Sequence, residues 1–169
     1  YGGTATNLAG RNITVGASYK HPTDPLKDRY AVGMAAGFNG DGNPAKAYTG
    51  SVINEGTINV KGSASIGMYG TGQGTEVYNG TSAGSTATIN LDSDGAIGMY
   101  LDKNAKGYNY GTITNAAGVK DVTGVVVKNG AKFINEATGV VSLNATNALG
   151  VLRTKDEGET LGVIENYGT

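Results

Sequence analysis

The feature that most constrains this chain is a short motif that recurs at intervals far shorter than a domain. Five segments run from an apolar residue through asparagine and a short spacer to a Gly/Thr pair. They are Ile53-Asn54-Glu55-Gly56-Thr57, Tyr78-Asn79-Gly80-Thr81, Tyr108-Asn109-Tyr110-Gly111-Thr112, Ile134-Asn135-Glu136-Ala137-Thr138-Gly139 and Ile164-Glu165-Asn166-Tyr167-Gly168-Thr169. The second lacks the spacer, the fourth reverses and stretches Gly/Thr, and the last inserts Glu165. The asparagines lie 25, 30, 26 and 31 residues apart. A period of this length marks a solenoid, in which each repeat buries its apolar row only by stacking on its neighbours. The chain opens on Tyr1-Gly2-Gly3-Thr4, which reads as the same motif with its asparagine cut away, and it ends inside the motif. The expectation is a segment of a longer array.

Three strand-like stretches recur in each repeat. One follows the motif glycine: residues 57–60, 88–91, 112–114 and 140–143. Its alternation of apolar and polar residues predicts a strand with one buried face, with Ile58, Val60, Ile89, Leu91, Val141 and Leu143 inward. A second centres on Gly33, Gly67, Gly98, Gly124 and Gly150, as in Ser65-Ile66-Gly67-Met68-Tyr69. A third leads into the asparagine, as in Glu76-Val77-Tyr78. Turn dipeptides such as Asn39-Gly40, Asp94-Gly95 and Asn129-Gly130 separate them. At the N-terminus, residues 3–10 align with residues 111–118, and an insertion loop of residues 16–30 precedes the strand at Gly33.

Three short strands per 25–31 residues describe an all-β chain wound as a parallel β-helix. Crossovers between parallel strands favour the right-handed form. Coils are expected at about residues 1–53, 54–78, 79–108, 109–134 and 135–165. Stacked asparagines could bond one another along the rod, as in cross-β ladders. They would also suit a left-handed corner, with glycine supplying the remaining backbone freedom. The competing architecture is a trimeric coil of short β-repeats, as in trimeric autotransporter heads, whose repeats are about half as long.

Composition agrees. Glycine numbers 29 of 169 residues, more than twice the usual share. There is no tryptophan and there are only 2 phenylalanines, so the core must be built from small and β-branched side chains. The formal net charge is −1, which leaves no electrostatic footprint for nucleic acid. Cysteine is absent, which excludes disulfides, thiolate metal sites and cysteine nucleophiles. No apolar run is long enough for a transmembrane helix.

The run Asn54-Glu55-Gly56-Thr57-Ile58, followed by Ile66-Gly67-Met68-Tyr69 and again by Ile97-Gly98-Met99-Tyr100, carries a family likeness. In a Gly/Asn/Thr-rich chain without cysteine, it resembles the passenger regions of large type V autotransporter adhesins, fusobacterial surface adhesins among them. The resemblance implies a virulence-associated passenger displayed at the bacterial cell surface. It would be held at the outer membrane through a C-terminal barrel not present here. It implies a structural stalk that mediates attachment to host cells or other microbes, with a surface protein or glycan as partner.

Residues able to do chemistry are sparse. The single histidine, His21, sits in His21-Pro22-Thr23-Asp24-Pro25, where solvation is the simplest reading, and His-based metal spacing fails without a second one. A polysaccharide-cleaving β-helix enzyme, lyase or hydrolase, is the main alternative. It would need clustered carboxylates, for which Asp92, Asp94 and Asp102 are the candidates. Turn chemistry is the simpler reading, since Asp94-Gly95 is a turn dipeptide and Asp102-Lys103-Asn104 ends a strand, and no catalytic residue, cofactor or metal ligand is assigned. Asn39-Gly40-Asp41-Gly42-Asn43 lacks the downstream glutamate of a calcium loop. Function on a regular scaffold concentrates in the loops that leave it. The densest charged stretch, with Lys20, His21, Asp24, Lys27, Asp28, Arg29 and Tyr30, is the candidate partner-binding loop. Residues 153–159 and 81–86 rank behind it.

Overall fold

A computed structural model describes residues 2–24, 28–38 and 47–169. Among the described residues, sixteen strands form three parallel sheets, and consecutive strands fall in different sheets. The first sheet holds β1 (Thr4–Asn7), β4 (Ser51–Asn54), β7 (Glu76–Asn79), β10 (Lys106–Asn109), β13 (Lys132–Asn135) and β16 (Val163–Asn166). The second holds β2 (Asn12–Val15), β5 (Thr57–Val60), β8 (Thr88–Leu91), β11 (Thr112–Asn115) and β14 (Val140–Ser142). The third holds β3 (Val32–Ala36), β6 (Ile66–Thr71), β9 (Ile97–Asp102), β12 (Thr123–Lys128) and β15 (Leu149–Thr154). Each strand pairs with its equivalent one coil later. The chain is therefore a three-sheet parallel β-helix, and each coil is completed by this chain alone.

The interior is a set of side-chain ladders running along the rod. Ile13, Ile58, Ile89, Ile113 and Val141 share one register position on the second sheet. Met34, Met68, Met99, Val125 and Val151 share one on the third. Ile58, Val60, Ile89 and Leu91 are fully buried, as the alternation predicts, and Val141 and Leu143 pack against the same core. Phe133 is the one large aromatic inside, facing the rung of Gly107. Gly107 is filled from the side, because Leu101 already lies 2.4 Å from where its Cβ would stand.

The strand-centring glycines have a steric cause. A Cβ on Gly98 would lie 2.5 Å from the carbonyl oxygen of Gly124, and one on Gly67 2.7 Å from that of Gly98. Backbone meets backbone here, so no side chain can be accommodated by a rotamer change. The ladder register skips these glycines, as from Val32↔Ile66 to Met34↔Met68.

The asparagines sit at the C-terminal ends of the first-sheet strands and form a continuous ladder. Nδ2 of Asn7, Asn54, Asn79 and Asn109 each donates to Oδ1 of the next asparagine at 2.8 Å, and Asn135 donates to Asn166 at 2.9 Å. Nδ2 also donates to a backbone carbonyl of the following coil, such as Thr88 from Asn54 and Thr112 from Asn79, both at 3.2 Å. Asn54, Asn79 and Asn109 are fully buried. Both amide protons are therefore spent, which is the condition for tolerating a buried polar group.

Three sequence expectations change. The ladder asparagines do not adopt a left-handed backbone; that conformation falls to Lys103, Asn104, Asp121, Asn129 and Asn147 at the other corners, and to Ala64. Of the motif glycines, Gly80 takes the expected positive φ of 78°, whereas Gly56, Gly111 and Gly139 are needed for close approach: a Cβ on Gly111 would meet the Ala87 carbonyl at 2.2 Å. The N-terminal alignment is shifted. Thr4–Asn7 pairs with Ser51–Asn54, and Asn12–Val15 is the strand that matches Thr57–Val60. Asn7 is thus the first rung of the ladder, and Gly2-Gly3 is not a truncated motif. The alignment failed because Leu8-Ala9-Gly10-Arg11 replaces the Gly/Thr signature at that corner.

Two outcomes follow. Deleting residues 109–134 joins Tyr108 to Asn135 at equivalent register positions, so a single cooperative thermal transition should persist. Deleting residues 109–121 should abolish it. Asn79→Ala orphans Nδ2 of Asn54 and Oδ1 of Asn109, at about 1–3 kcal/mol each. Urea unfolding should register a loss of roughly 3 kcal/mol, against less than about 1 kcal/mol for Asn59→Ala in the half-buried Asn59–Asn90 pair. Equal losses would remove the ladder's special status.

Candidate functional site

The connection from second to third sheet takes five residues after β5 and five after β8, but sixteen between β2 and β3. This excursion covers residues 16–31. It is closed at its base by Ser18. The Ser18 hydroxyl accepts from the Ala31 amide at 3.0 Å and donates to the Ala64 carbonyl at 2.9 Å. Ser65, fully buried, donates to the Gly16 carbonyl at 2.7 Å. Above this, Tyr19 and Arg29 exchange backbone hydrogen bonds of 2.9 and 3.0 Å in an antiparallel bridge. The loop therefore leaves the rod as a strap with paired sides.

The charged residues mostly serve the strap itself. Lys20 Nζ lies 2.8 Å from Asp28 Oδ2 and 5.5 Å from the centre of the Tyr30 ring. Asp28 Oδ1 accepts from the His21 amide at 2.9 Å. His21 Nδ1 in turn accepts from the amides of Asp24 at 3.0 Å and Thr23 at 3.4 Å, so its ring works as a turn acceptor. The Arg29 guanidinium donates to the Asp28 carbonyl at 3.0 Å. Lys27 lies outside the described residues.

Asp28, Arg29 and Tyr30 form one wall of a groove of about 490 Å³. Its floor is the outer face of the third sheet: Val32, Ile66 and Ile97 in one register row, and Tyr69 and Tyr100 in another. Asp102 closes the far end. The two tyrosine rings are tilted by 40° with centroids 5.8 Å apart. Burial pushes both phenols above their ordinary range, so they are neutral donors at physiological pH. Asp102 is fixed through Oδ1, which accepts from Asn129 Nδ2 and the Lys103 amide, both at 2.9 Å. Asn129 is itself buried and also binds Asp156 at 2.9 Å. The groove volume falls in the range of small-ligand sites, with an apolar floor and a few oriented polar groups.

Sequence reasoning reached the strap but missed the floor. In the sequence Tyr69 and Tyr100 carry only a strand signal, and Ser18 and Ser65 carry none. The outward row Tyr69↔Tyr100 could have been found from the repeated Ile-Gly-Met-Tyr, since the position after an inward methionine faces out. The other charged loops are tied to the rod. Lys128 and Asp156 pair at 2.8 Å, Arg153 donates to the Gly162 carbonyl at 2.7 Å, and Lys103 pairs with Glu159. Ser85 donates to Glu55 at 3.0 Å, and Thr81 donates to the same carboxylate. A second excursion leaves the rod between β3 and β4, where Phe38 and Tyr48 are backbone-paired at 2.9 and 3.0 Å. It makes the first coil long in two places, whereas the sequence reading placed the extra length at residues 16–30 alone. The run Asn39-Gly40-Asp41-Gly42-Asn43 within it lies outside the described residues.

Of the candidate carboxylates, Asp94 and Asp102 lie at opposite ends of β9. Asp94 caps the turn before β9 by accepting from the Lys120 amide at 3.0 Å, while Asp102 ends β9. The strand between them spans about 17 Å at ~3.3 Å per residue. Among the described residues no three His, Asp or Glu side chains are grouped as a metal site.

Residues 2–81, a little under half of the chain, match the family model of the BigA third pectate lyase-like domain. No curated protein and no solved structure is significantly similar to the chain.

The strap's ion pair gives a pH prediction. The Lys20 ammonium, and after it the His21 amide, hold the Asp28 carboxyl below its ordinary 3.8. Its contribution to strap order is present above pH 3.8 and is lost as pH falls through the lower folded value. An NMR titration should place the Asp28 midpoint below 3.8, and Lys20→Met should return it towards 3.8; an unchanged midpoint would mean the pair is not formed.

Proposed function

We propose that this chain is a segment of a bacterial surface adhesin, a rod that presents the strap and groove of its first coil for attachment to host cells or other microbes. The observation that carries the reading is the contrast between that coil and the rest. Elsewhere the buried asparagines and the charged loops of the rod are tied into ladders and corners. The first coil alone adds a long, paired strap that walls a groove on the outer sheet. The likeness of residues 2–81 to a domain of BigA, a bacterial surface adhesin-like protein, supports a cell-surface or extracellular location. Outer-membrane anchoring through a C-terminal barrel and a part in virulence belong to the same proposal. The pectate lyase-like description is one of fold, and a role in binding rather than catalysis is our reading of the separation between Asp94 and Asp102.

The test is attachment. Fluorescently labelled protein should bind saturably to epithelial cells or to co-aggregating bacteria. Replacing residues 19–29 by a short glycine linker should cut binding by about tenfold or more, ~1.4 kcal/mol, while the thermal midpoint and circular dichroism stay unchanged. Unaltered binding by the strapless variant would sink the proposal. Cleavage of a polysaccharide panel that is lost in Asp102→Asn would favour the enzyme instead.

A further inference from the structure

Resting on the adhesin reading, we infer that the groove between the strap and the third sheet is a binding site for a short, uncharged oligosaccharide. The floor offers the half-buried rings of Tyr69 and Tyr100, a tilted aromatic pair beside the apolar row of Val32, Ile66 and Ile97. Aromatic faces with a polar tip suit ligands that are apolar on one side and polar on the edge. A pyranose ring has that construction: a C–H face and a rim of hydroxyls. The groove's ends supply partners for the rim. Arg29 stands at one side and Asp102 at the other, and the two bonds that fix Asp102 both fall on Oδ1, so Oδ2 takes part in neither.

Charge and backbone narrow the occupant. The groove carries a guanidinium and carboxylates together, with Asp28 already paired to Lys20. Hydroxyls both donate and accept, so they can satisfy both signs, whereas a polyanion would meet Asp102 and a polycation would meet Arg29. The floor strands β6 and β9 are paired on both sides, so their backbone donors and acceptors are spent, while β3 ends the sheet and pairs with β6; the groove lies over the side-chain face of these strands and not along the β3 edge. A peptide adding as a strand needs a free sheet edge, and this is a sheet face. The strand direction of the floor, from Ile97 to Asp102, is about 17 Å long at ~3.3 Å per residue. That exceeds one sugar ring and suits a short chain.

The experiment uses an array of neutral, sialylated and uronic-acid oligosaccharides together with short peptides, probed with the intact 169-residue chain. Affinity is then measured in solution by quenching of tyrosine fluorescence, which is direct because the chain has no tryptophan. Retention on neutral glycans is expected, weakened at least tenfold by Tyr100→Ala and by Asp102→Asn, and largely kept by Tyr100→Phe. Tyr78→Ala, on the first sheet, should bind as the parent does. Failure to retain any neutral glycan, retention only on acidic glycans or peptides, or undiminished binding by folded Tyr100→Ala and Asp102→Asn would overturn the site. Treating target cells with periodate or with protease separates the two readings. Attachment abolished by periodate supports the glycan. Attachment that survives periodate but not protease overturns the glycan site and leaves the adhesin reading standing. Absence of attachment to any cell removes the adhesin reading whatever the array shows.

Discussion

The rest of the molecule depends on one interaction, the asparagine-to-asparagine hydrogen bond repeated from coil to coil. It places a primary amide inside the rod, where an unpartnered one would be costly, and spends both of its protons. One proton goes to the next asparagine and the other to a carbonyl in the next coil. Because each bond reaches forward by one coil, a rung is satisfied only when its neighbour is in register. The apolar rows also oppose a slip, since moving a strand by one residue turns its buried face outward. The amide ladder and the apolar rows together fix the stacking, and the hydrophobic ladders supply most of the stabilisation once stacking is fixed.

Glycine completes the constraint from the other side. The row from Gly33 to Gly124 lets third-sheet backbones approach more closely than any Cβ allows, and corner glycines such as Gly56, Gly111 and Gly139 let the turn rest on a neighbouring carbonyl. The interior is consequently narrow, and it is filled by Met, Val, Ile and Leu with a single phenylalanine. Aromatic residues are displaced to the outside, where Tyr69 stands over Tyr100 and Tyr78 stacks on Tyr108 at 4.6 Å. Outward aromatic pairs are thus a by-product of the repeat. What distinguishes the first pair is the strap beside it, which turns an exposed face into a walled groove.

The strap's own charges are largely consumed in holding its shape. Lys20 pairs with Asp28 while staying largely exposed, Asp28 also accepts from the His21 amide, and Ser18 and Ser65 fasten the base. The last residues of the loop, Asp28 to Tyr30, also form a wall of the groove over the third sheet.

The sequence by itself determined the fold class, the three strands per coil and the inward rows, because a period of two within a period of about 28 is written in the order of apolar residues. It also pointed to the ladder, because asparagine recurs at one place in each coil. It misplaced the first rung, since Asn7 lacks the following Gly/Thr, and only pairing with Asn54 identifies it. Only the tertiary structure decided that those asparagines are extended while the left-handed corners lie elsewhere, because a side-chain ladder and a backbone turn leave the same residue type in the sequence. Only it brought Tyr69, Tyr100 and Asp102 under residues 28–30. Those groups are 39 to 74 positions apart along the chain, and their meeting depends on coil stacking, which no local pattern encodes.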